Sequence, residues 1–221
     1  MPFLSTTSRD IPLQPDRAAL LFVDVQNFCL HPEGGEMRDA DAETREGKLR
    51  PFIDRVHAEV IPRMVDLRTA ARAAGMEVIY TMIESLTRDG RDRSLDYKIT
   101  GFNVPRGSFD AQMVKALEPG PDEIVIPKTS SSVFVSTNID YVLRNLGVAQ
   151  LVVAGVVTDQ CVESAIRDAC DLGYLVTQAT DACATYTEAR HEGSLAAIRG
   201  YCRQRTVAEL LASDLAGHGV S

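Results

Sequence analysis

The sequence has no tryptophan, only four histidines and no apolar run long enough to cross a membrane. A membrane-spanning helix needs about 20 consecutive apolar residues, so we expect no membrane partner. The amino-terminal segment also lacks the basic stretch and apolar core of a secretory signal, and we expect a cytoplasmic protein. Acidic residues outnumber basic residues. The resulting net charge of −8 disfavours nucleic-acid binding, which needs a positively charged surface.

The cysteines are odd in number and include no pair at CxxC spacing. Disulfide frameworks are typical of small secreted domains, so we expect free thiols, most of them small buried apolar groups. The histidines are scattered along the chain, which argues against a zinc site. We therefore expect neither a metal nor another cofactor. The cysteines are Cys29, Cys161, Cys170, Cys183 and Cys202, and the histidines are His31, His57, His191 and His218.

Short apolar runs alternate with amphipathic segments along the chain. The runs have the length of buried strands, and the segments between them repeat apolar residues at helical spacing. This alternation is typical of a parallel sheet covered by helices on both faces. We expect one α/β domain over residues 1–221, a three-layer α/β/α sandwich with a doubly wound, mainly parallel six-stranded sheet of Rossmann-like type. The predicted strands are 18–25, 76–83, 122–127, 149–157, 174–180 and 205–212 (the last ending in a turn), and the predicted helices are 48–75, 108–117, 135–147, 161–173 and 187–201.

Two polar segments interrupt this pattern. Residues 30–48 are charged and contain glycine, so they fit a lid, an interface arm or a mobile loop equally well. Residues 86–107 are polar and rich in turn formers, which indicates an excursion over the surface. This second segment carries arginines that could pair with a substrate carboxylate or simply form a solvated face: Arg88, Arg91, Arg93 and Arg106.

Polar residues stand at the carboxyl ends of four predicted strands, where open parallel sheets form their sites. Asp24 ends the first strand, Glu84 follows the second and Lys128 follows the third. Cys161 begins the helix after the fourth. Each has an ordinary alternative role, as a core acid, a surface charge or a buried thiol. A nucleophilic thiol needs a base for its proton and a nearby cation, and an acid and an amine supply these. We therefore expect Asp24, Lys128 and Cys161 to form a catalytic set.

A cysteine at a helix start suits covalent catalysis at an amide-like carbonyl. The unpaired N–H groups of the first helical turn favour a thiolate by ~0.3–1 kcal/mol, and the Lys128 ammonium would favour it further. Asp24 could accept the thiol proton and later give it to a leaving group. Backbone N–H groups at the same helix start could stabilise an oxyanion. The expected reaction is acyl transfer through a thioester or thiocarbamate.

Three segments of the sequence resemble the signature motifs of the isochorismatase-like cysteine hydrolase superfamily: LLFVDVQNFCL, IPKTSSSVF and VVAGVVTDQCVESAIRDACDLGYLVTQATDACAT. The resemblance implies that Asp24, Lys128 and Cys161 are the catalytic aspartate, lysine and cysteine. It also implies a cis peptide bond between Val156 and Val157. The N–H groups of Val157 and Cys161 would then form the oxyanion hole.

The resemblance also reduces the number of possible reactions. Nicotinamidases hold a metal with histidines on the loop after the second strand, whereas the corresponding TMIESLTRDG has none, so no metal is implied. The isochorismatase branch lacks the nucleophilic cysteine that is present here as Cys161. What remains is the amidohydrolase branch, with the N-carbamoylsarcosine, ureidoacrylate and biuret hydrolases. It implies hydrolysis of the C–N bond of a small amide, ureide or carbamoyl compound by a homodimer or homotetramer.

Further residues could bind this small-molecule substrate. Glu84 could hold an amino or ureido N–H group, or it could be a surface acid. Gln26 could hydrogen-bond the neighbouring catalytic carboxylate or the substrate. Phe28, Phe134 and Tyr186 could line the pocket or serve only in packing. Two other functions stay open at this point, a catalytically silent binding or assembly protein and an isochorismatase-type vinyl-ether hydrolase.

Overall fold

The computed structural model describes residues 8–216, so residues 1–7 and 217–221 of the expected domain lie outside the described part. Its centre is a six-stranded sheet formed by β1 Ala18–Val23, β2 Glu77–Ile83, β3 Ile124–Lys128, β4 Gln150–Val156, β5 Leu175–Ala184 and β6 Arg203–Arg205. The strand order is β3-β2-β1-β4-β5-β6, and every neighbouring pair is parallel. The doubly wound α/β sheet expected from the sequence is therefore confirmed.

Strand β1 shows why a continuous apolar run forms the middle of this sheet. None of its six residues is more than 2% exposed. Leu20 and Phe22 pack into the core on one face, whereas Leu21 and Val23 pack into the core on the other. Because successive side chains of a strand point to opposite faces, a strand covered on both sides needs apolar residues at every position.

Helices cover both faces of the sheet. The long stretch 42–73 and the terminal helix 207–214 supply the core of one face, and the helices that follow β3, β4 and β5 supply the core of the other. No helix in the range 8–216 has the length and apolar character to cross a bilayer. The helical segments are Asn27–Leu30, Gly35–Asp39, 42–73 (α-helical in Ala42–Thr44, Arg50–Arg55 and Ile61–Ala73, π-helical in Arg45–Leu49 and Val56–Val60), Leu95–Ile99, Val133–Ser136, Ile139–Asn145, 158–171 (π-helical in Thr158–Val162, α-helical in Glu163–Asp171), Glu188–Ile198 and 207–214 (α-helical in Val207–Glu209, π-helical in Leu210–Asp214), with short 3₁₀ turns at Pro15–Arg17, Phe109–Ala111 and Lys115–Leu117.

The predicted helix 108–117 is wrong. The chain there makes two 3₁₀ turns with an extended stretch between them. In that stretch Met113 forms an antiparallel bridge with Gln26, and the Val114 N–H donates to Val25 O at 3.0 Å. Pairing with the segment that follows β1 thus takes the backbone groups that a helix would have used, so tertiary structure overrides the local apolar spacing.

The predicted terminal strand 205–212 is also displaced. The strand occupies Arg203–Arg205, and helix 207–214 follows at once. Thr206 and Glu209 form a capping box at the start of this helix. The Thr-x-x-Glu spacing was readable in the sequence as a helix start, so this helix could have been predicted.

Strands β1 and β4 approach each other closely at Gly155. Gly155 pairs with Val23 and has a φ of +131°, and a Cβ at this position would lie 2.1 Å from Val23 O. Only glycine combines this backbone conformation with so close a contact. The approach places the end of β4 beside Asp24, the residue that follows β1.

Substituting Gly155→Ala should lower the free energy of unfolding by about 2–4 kcal/mol, because it combines overpacking with backbone strain. Urea denaturation followed by circular dichroism measures the change. Gly193→Ala is the matched control. Apart from its chain neighbours and its own helix backbone, no heavy atom within 8–216 lies within 4 Å of its Cβ position, and replacing a helical glycine by alanine stabilises the fold by up to about 1 kcal/mol. A Gly155→Ala variant as stable as the parent would contradict the argument.

Candidate active site

The side chains of Asp24, Lys128 and Cys161 meet at the carboxyl edge of the sheet. Lys128 Nζ lies 2.9 Å from Asp24 Oδ2 and 3.3 Å from Cys161 Sγ. The residues are 1%, 0% and 6% exposed, respectively. They meet because β1, β3 and β4 all end at this edge, with β1 and β4 adjacent. An acid, an amine and a thiol thus share one nearly water-free site.

Asp24 is held by both its backbone and its side chain. It follows β1 with a φ of 55°, a left-handed conformation that is uncommon outside glycine. Its N–H donates to Thr81 O at 3.1 Å, and its Oδ1 accepts from Thr81 Oγ1 at 3.2 Å. Oδ2 lies against the Lys128 ammonium but receives no aligned hydrogen bond from any described residue. This fixed carboxylate therefore keeps an oxygen able to accept a proton.

Tyr97 completes the surroundings of the ammonium, and the sequence reasoning missed it. Lys128 Nζ donates to Tyr97 Oη and to Ser130 O, both at 2.9 Å, and Tyr97 Oη lies 3.7 Å from Cys161 Sγ. Tyr97 belongs to the helix Leu95–Ile99, inside the segment expected to be a surface excursion. The available signal was Ser94, whose side chain caps this helix by accepting the Tyr97 N–H.

Burial and mutual charge set the protonation of the site. Burial favours neutral Lys128, but the Asp24 carboxylate, the Cys161 sulfur and the contact with Tyr97 outweigh it and raise the pKa of Lys128 well above its ordinary value. Burial also raises the pKa of Asp24, and the Lys128 charge offsets this only in part. Burial raises the pKa of Cys161 to about 11 despite the nearby ammonium, and the Asp24 charge adds to the rise. The site at neutral pH therefore combines an ion pair with a protonated thiol.

The sequence analysis expected the helix start and Lys128 to favour a thiolate at Cys161, whereas the pKa of this thiol is raised to about 11. The helix start and Lys128 do favour the anion, but desolvation of the sulfur and the adjacent carboxylate outweigh them. The thiol instead lies in a site whose carboxylate can take its proton during a reaction.

The helix that carries Cys161 begins with a π-helical turn. Val157 O accepts the N–H groups of Gln160 at 3.1 Å and Val162 at 3.4 Å, and this pattern skips the N–H of Cys161. The Val157 N–H donates to no backbone acceptor in the described part of the chain. The peptide bond between Val156 and Val157 is cis. Val157 is the residue before the first helical residue, Thr158, and Cys161 lies in the first turn, so both N–H groups named in the sequence analysis belong to the start of this helix.

A pocket of about 280 Å³ opens onto Cys161. Its walls come from segments far apart in the sequence, including the charged segment 30–48 whose role the sequence left open. Tyr186, an expected pocket residue, lines it. The lining residues are Glu36, Lys48, Asp96, Tyr97, Thr100, Phe102, Ser131, Gln160, Cys161, Tyr186 and Arg190.

Tyr186 organises the charged side of this pocket. Its hydroxyl donates to Glu36, and Lys48 Nζ lies 3.9 Å from its ring centroid. Arg190 packs on the same ring at 5.1 Å and is bonded to Asp159 at 2.5 Å. The cations of the pocket are thus Lys48 and Arg190, rather than the arginines of the segment 86–107.

Gln26 and Phe28 lie behind the pocket. The Gln26 amide donates to Ile83 O at 3.0 Å and Asp110 O at 2.9 Å, and it accepts the Ile83 N–H at 2.6 Å. Phe28 packs edge-on against Phe102, with 5.2 Å between ring centroids. Both residues brace the segment after β1 and do not line the pocket.

Glu84 and Phe134 lie elsewhere. Glu84 lines a different and larger pocket, where it accepts the Gly107 N–H at 2.8 Å. Phe134 packs near Tyr174, with 6.1 Å between ring centroids. None of the four expected substrate-binding residues, Gln26, Phe28, Glu84 and Phe134, is brought to the wall of the Cys161 pocket.

Replacing Lys128→Met should lower the free energy of unfolding at about pH 7 by about 3–5 kcal/mol, because Asp24 loses its buried counter-ion. Without the ammonium the pKa of Asp24 rises further. A raised pKa in the folded state means that stability is recovered as pH falls through that pKa. Urea denaturation between about pH 7 and about pH 5 should show the deficit shrinking. The double variant Asp24→Asn/Lys128→Met removes both charges and should lose this pH dependence, whereas a pH-independent deficit in Lys128→Met would contradict the argument.

Solved structures of other proteins share this fold. A cysteine hydrolase from Pseudomonas syringae pv. phaseolicola 1448A is 27% identical, with a TM-score of 0.78 over 95% of this chain and 97% of that chain. An isochorismatase family protein from Desulfovibrio vulgaris subsp. vulgaris str. Hildenborough is 26% identical, with a TM-score of 0.70 over 88% and 96%. An N-carbamoylsarcosine amidase from Thermoplasma acidophilum, 22% identical with a TM-score of 0.68 over 87% and 98%, shares the fold. Residues 18–210 match the Isochorismatase domain family, and the chain therefore belongs to the isochorismatase-like cysteine hydrolase family.

Proposed function

We propose that the protein hydrolyses the C–N bond of a small amide, ureide or carbamoyl compound through a covalent acyl-enzyme on Cys161. The observation that carries the proposal is the contact of Lys128 Nζ with both Cys161 Sγ and Asp24 Oδ2, next to a pocket of about 280 Å³. The Pseudomonas syringae relative, described as a cysteine hydrolase, supports the same type of nucleophile.

The first step starts from the protonated thiol. Asp24 accepts the Sγ proton while sulfur forms a bond to the carbonyl carbon, and the carbonyl π electrons move to oxygen. The Lys128 ammonium stabilises the sulfur as its charge develops. The N–H groups of Val157 and Cys161 stabilise the oxyanion, and such donors act strongly because the site is shielded from bulk water.

The second half of the reaction restores the enzyme. Asp24 gives its proton to the leaving nitrogen, the C–N bond breaks and ammonia or an amine departs, which leaves a thioester or thiocarbamate on Cys161. Water then attacks this carbonyl while Asp24 takes its proton. The C–S bond breaks, the carboxylic or carbamic acid product leaves, and Asp24 returns its proton to the Cys161 sulfur. One water is consumed, no electrons are transferred, and no cofactor is required.

The two alternative functions account for fewer features of the site. A binding protein has no use for a buried ion pair beside a thiol, and such burial costs several kcal/mol per ion before the pairing offsets it. Vinyl-ether hydrolysis gives the thiol no role. Amide hydrolysis uses all three groups.

We also expect the protein to act as a homodimer or homotetramer. Leu95 and Ile99 are 73% and 75% exposed and lie four residues apart on one short helix, which places them on the same face. An exposed apolar face of this kind supports self-association.

Substituting Cys161→Ala should reduce turnover by a factor of about 10³ or more, because no other group can carry the acyl intermediate. Ammonia release from a panel of amides and carbamoyl compounds measures turnover. Intact mass after a slow substrate should show an acyl adduct on the parent protein and none on Cys161→Ala. Cys170→Ser is the matched control: this half-buried thiol bonds Tyr201 O, outside the pocket, and the variant should keep both turnover and adduct. Full turnover in Cys161→Ala would exclude the proposal.

The pH profile of kcat/KM should rise through one ionisation and then stay level through neutral pH. The rise reports Asp24, which must be ionised to act as a base, and it should lie above the ordinary value of 3.8 because burial raises the pKa of Asp24. No fall is expected at neutral pH, because the pKa of Lys128 is raised well above 10.5. Initial rates from about pH 4 to about pH 9 test this. A bell-shaped pH profile of kcat/KM centred near the ordinary histidine pKa would contradict the assignment of Asp24 as the base.

A further inference from the structure

A second pocket, of about 570 Å³, lies on the β3 side of the sheet. It shares no lining residue with the Cys161 pocket, so the proposed hydrolysis does not account for it. Much of its wall is apolar, formed by Met82, Phe109, Met113, Pro119 and Val125. A pocket of this size and character fits a small molecule.

The carboxylate of Glu84 stands in the wall of this pocket without a counter-ion. Glu84 is only 6% exposed, yet it forms no ion pair with any residue in 8–216. Lys115, at the rim of the pocket, is paired with Glu118. The other three carboxylates buried to this degree each have a cation within 2.7–3.0 Å: Asp24 with Lys128, Asp110 with Arg38 and Asp214 with Arg203. A buried carboxylate without such a partner is costly, which marks Glu84 as the exception.

Hydrogen-bond acceptors remain unused in the same pocket. Glu84 Oε2 accepts the Gly107 N–H at 2.8 Å, and Oε1 accepts no hydrogen bond within the described range. The Asn27 side chain donates through Nδ2 to Phe109 O, while its Oδ1 accepts from no described residue. A carboxylate and an amide oxygen that lack donors form an acceptor set for a nitrogen cation with several N–H groups.

We propose that this pocket binds a small organic cation, a primary amine, amidine or guanidinium compound with an apolar body, through an ion pair with Glu84. The cation supplies the counter-ion that the chain itself does not place there. The apolar body fits the Met, Phe and Val walls, and the ring of Phe109 can add a cation–π contact. This site is separate from Cys161, and its occupation does not depend on the hydrolase proposal.

Calorimetric titration with benzylamine tests the site, with benzyl alcohol as the neutral compound of the same shape. Benzylamine should bind at least about tenfold more tightly, because the ion pair forms only with the cation. Glu84→Gln keeps an oxygen for the Gly107 N–H, so it should retain the fold. This variant should weaken the binding of benzylamine by at least about tenfold and leave the binding of benzyl alcohol unchanged.

A second variant tests the same contact without altering Glu84. Met82 precedes Glu84 by two residues, and both residues line this pocket. Met82→Lys supplies a tethered ammonium and should abolish benzylamine binding, whereas Met82→Gln, of similar length and no charge, should keep it. Thermal unfolding checks that each variant is folded.

Several results would overturn the proposal. Equal affinity for benzylamine and benzyl alcohol, or unchanged benzylamine affinity in folded Glu84→Gln or Met82→Lys, would each exclude a cation site. A parent protein that binds no benzylamine and forms a dimer that Glu84→Gln dissociates would assign Glu84 to a cation of a second copy instead.

Discussion

The buried ammonium of Lys128 is the interaction on which the candidate active site of this protein depends. It is wholly inaccessible, and it contacts Asp24, Cys161, Tyr97 and Ser130. Moving a cation out of water costs several kcal/mol even after relaxation, so the fold must place acceptors around it accurately. The left-handed backbone of Asp24 and the inward-facing Tyr97 both serve this requirement.

The sheet order explains why the cation is a lysine. Lys128 ends β3, whereas Asp24 follows β1, with β2 between them. Two strand spacings amount to about 9–10 Å, a gap that a long side chain can span and a short one cannot. Cys161 approaches from the other side, through β4, which is adjacent to β1. The reversal of winding between β1 and β4 thus opens the space in which the three side chains meet.

Much of this arrangement was predictable because it follows from strand periodicity. An apolar run such as Ala18–Val23 indicates a strand covered on both faces, and parallel strands bring their carboxyl ends to one edge. That rule alone grouped Asp24, Lys128 and Cys161. It also grouped Glu84, which the chain turns toward another pocket, because the rule gives the edge and not the direction of each side chain.

The rest depended on long-range contacts that periodicity does not encode. Tyr97 reaches the ammonium only because segment 86–107 folds back over the edge, and residues 108–117 lose their helix to pairing with the segment after β1. The protonation of Cys161 required the depth of burial. A local motif indicates the helix dipole and a neighbouring charge, but it does not give the desolvation that outweighs both.

The strands and the connecting segments contribute different parts of the candidate site, and this separation has an evolutionary consequence. Asp24 and Lys128 stand at strand ends, fixed by the ladder of the sheet, and Cys161 stands in the first turn after β4. Glu36, Lys48, Phe102 and Tyr186 reach the pocket from the intervening connections. Exchanging such a connection alters which molecules are admitted while the reacting atoms stay in register. Under the proposed hydrolysis, related chains can therefore diversify in their substrates while they keep the same reacting groups, and loop grafting is the natural route to change the substrate of this one.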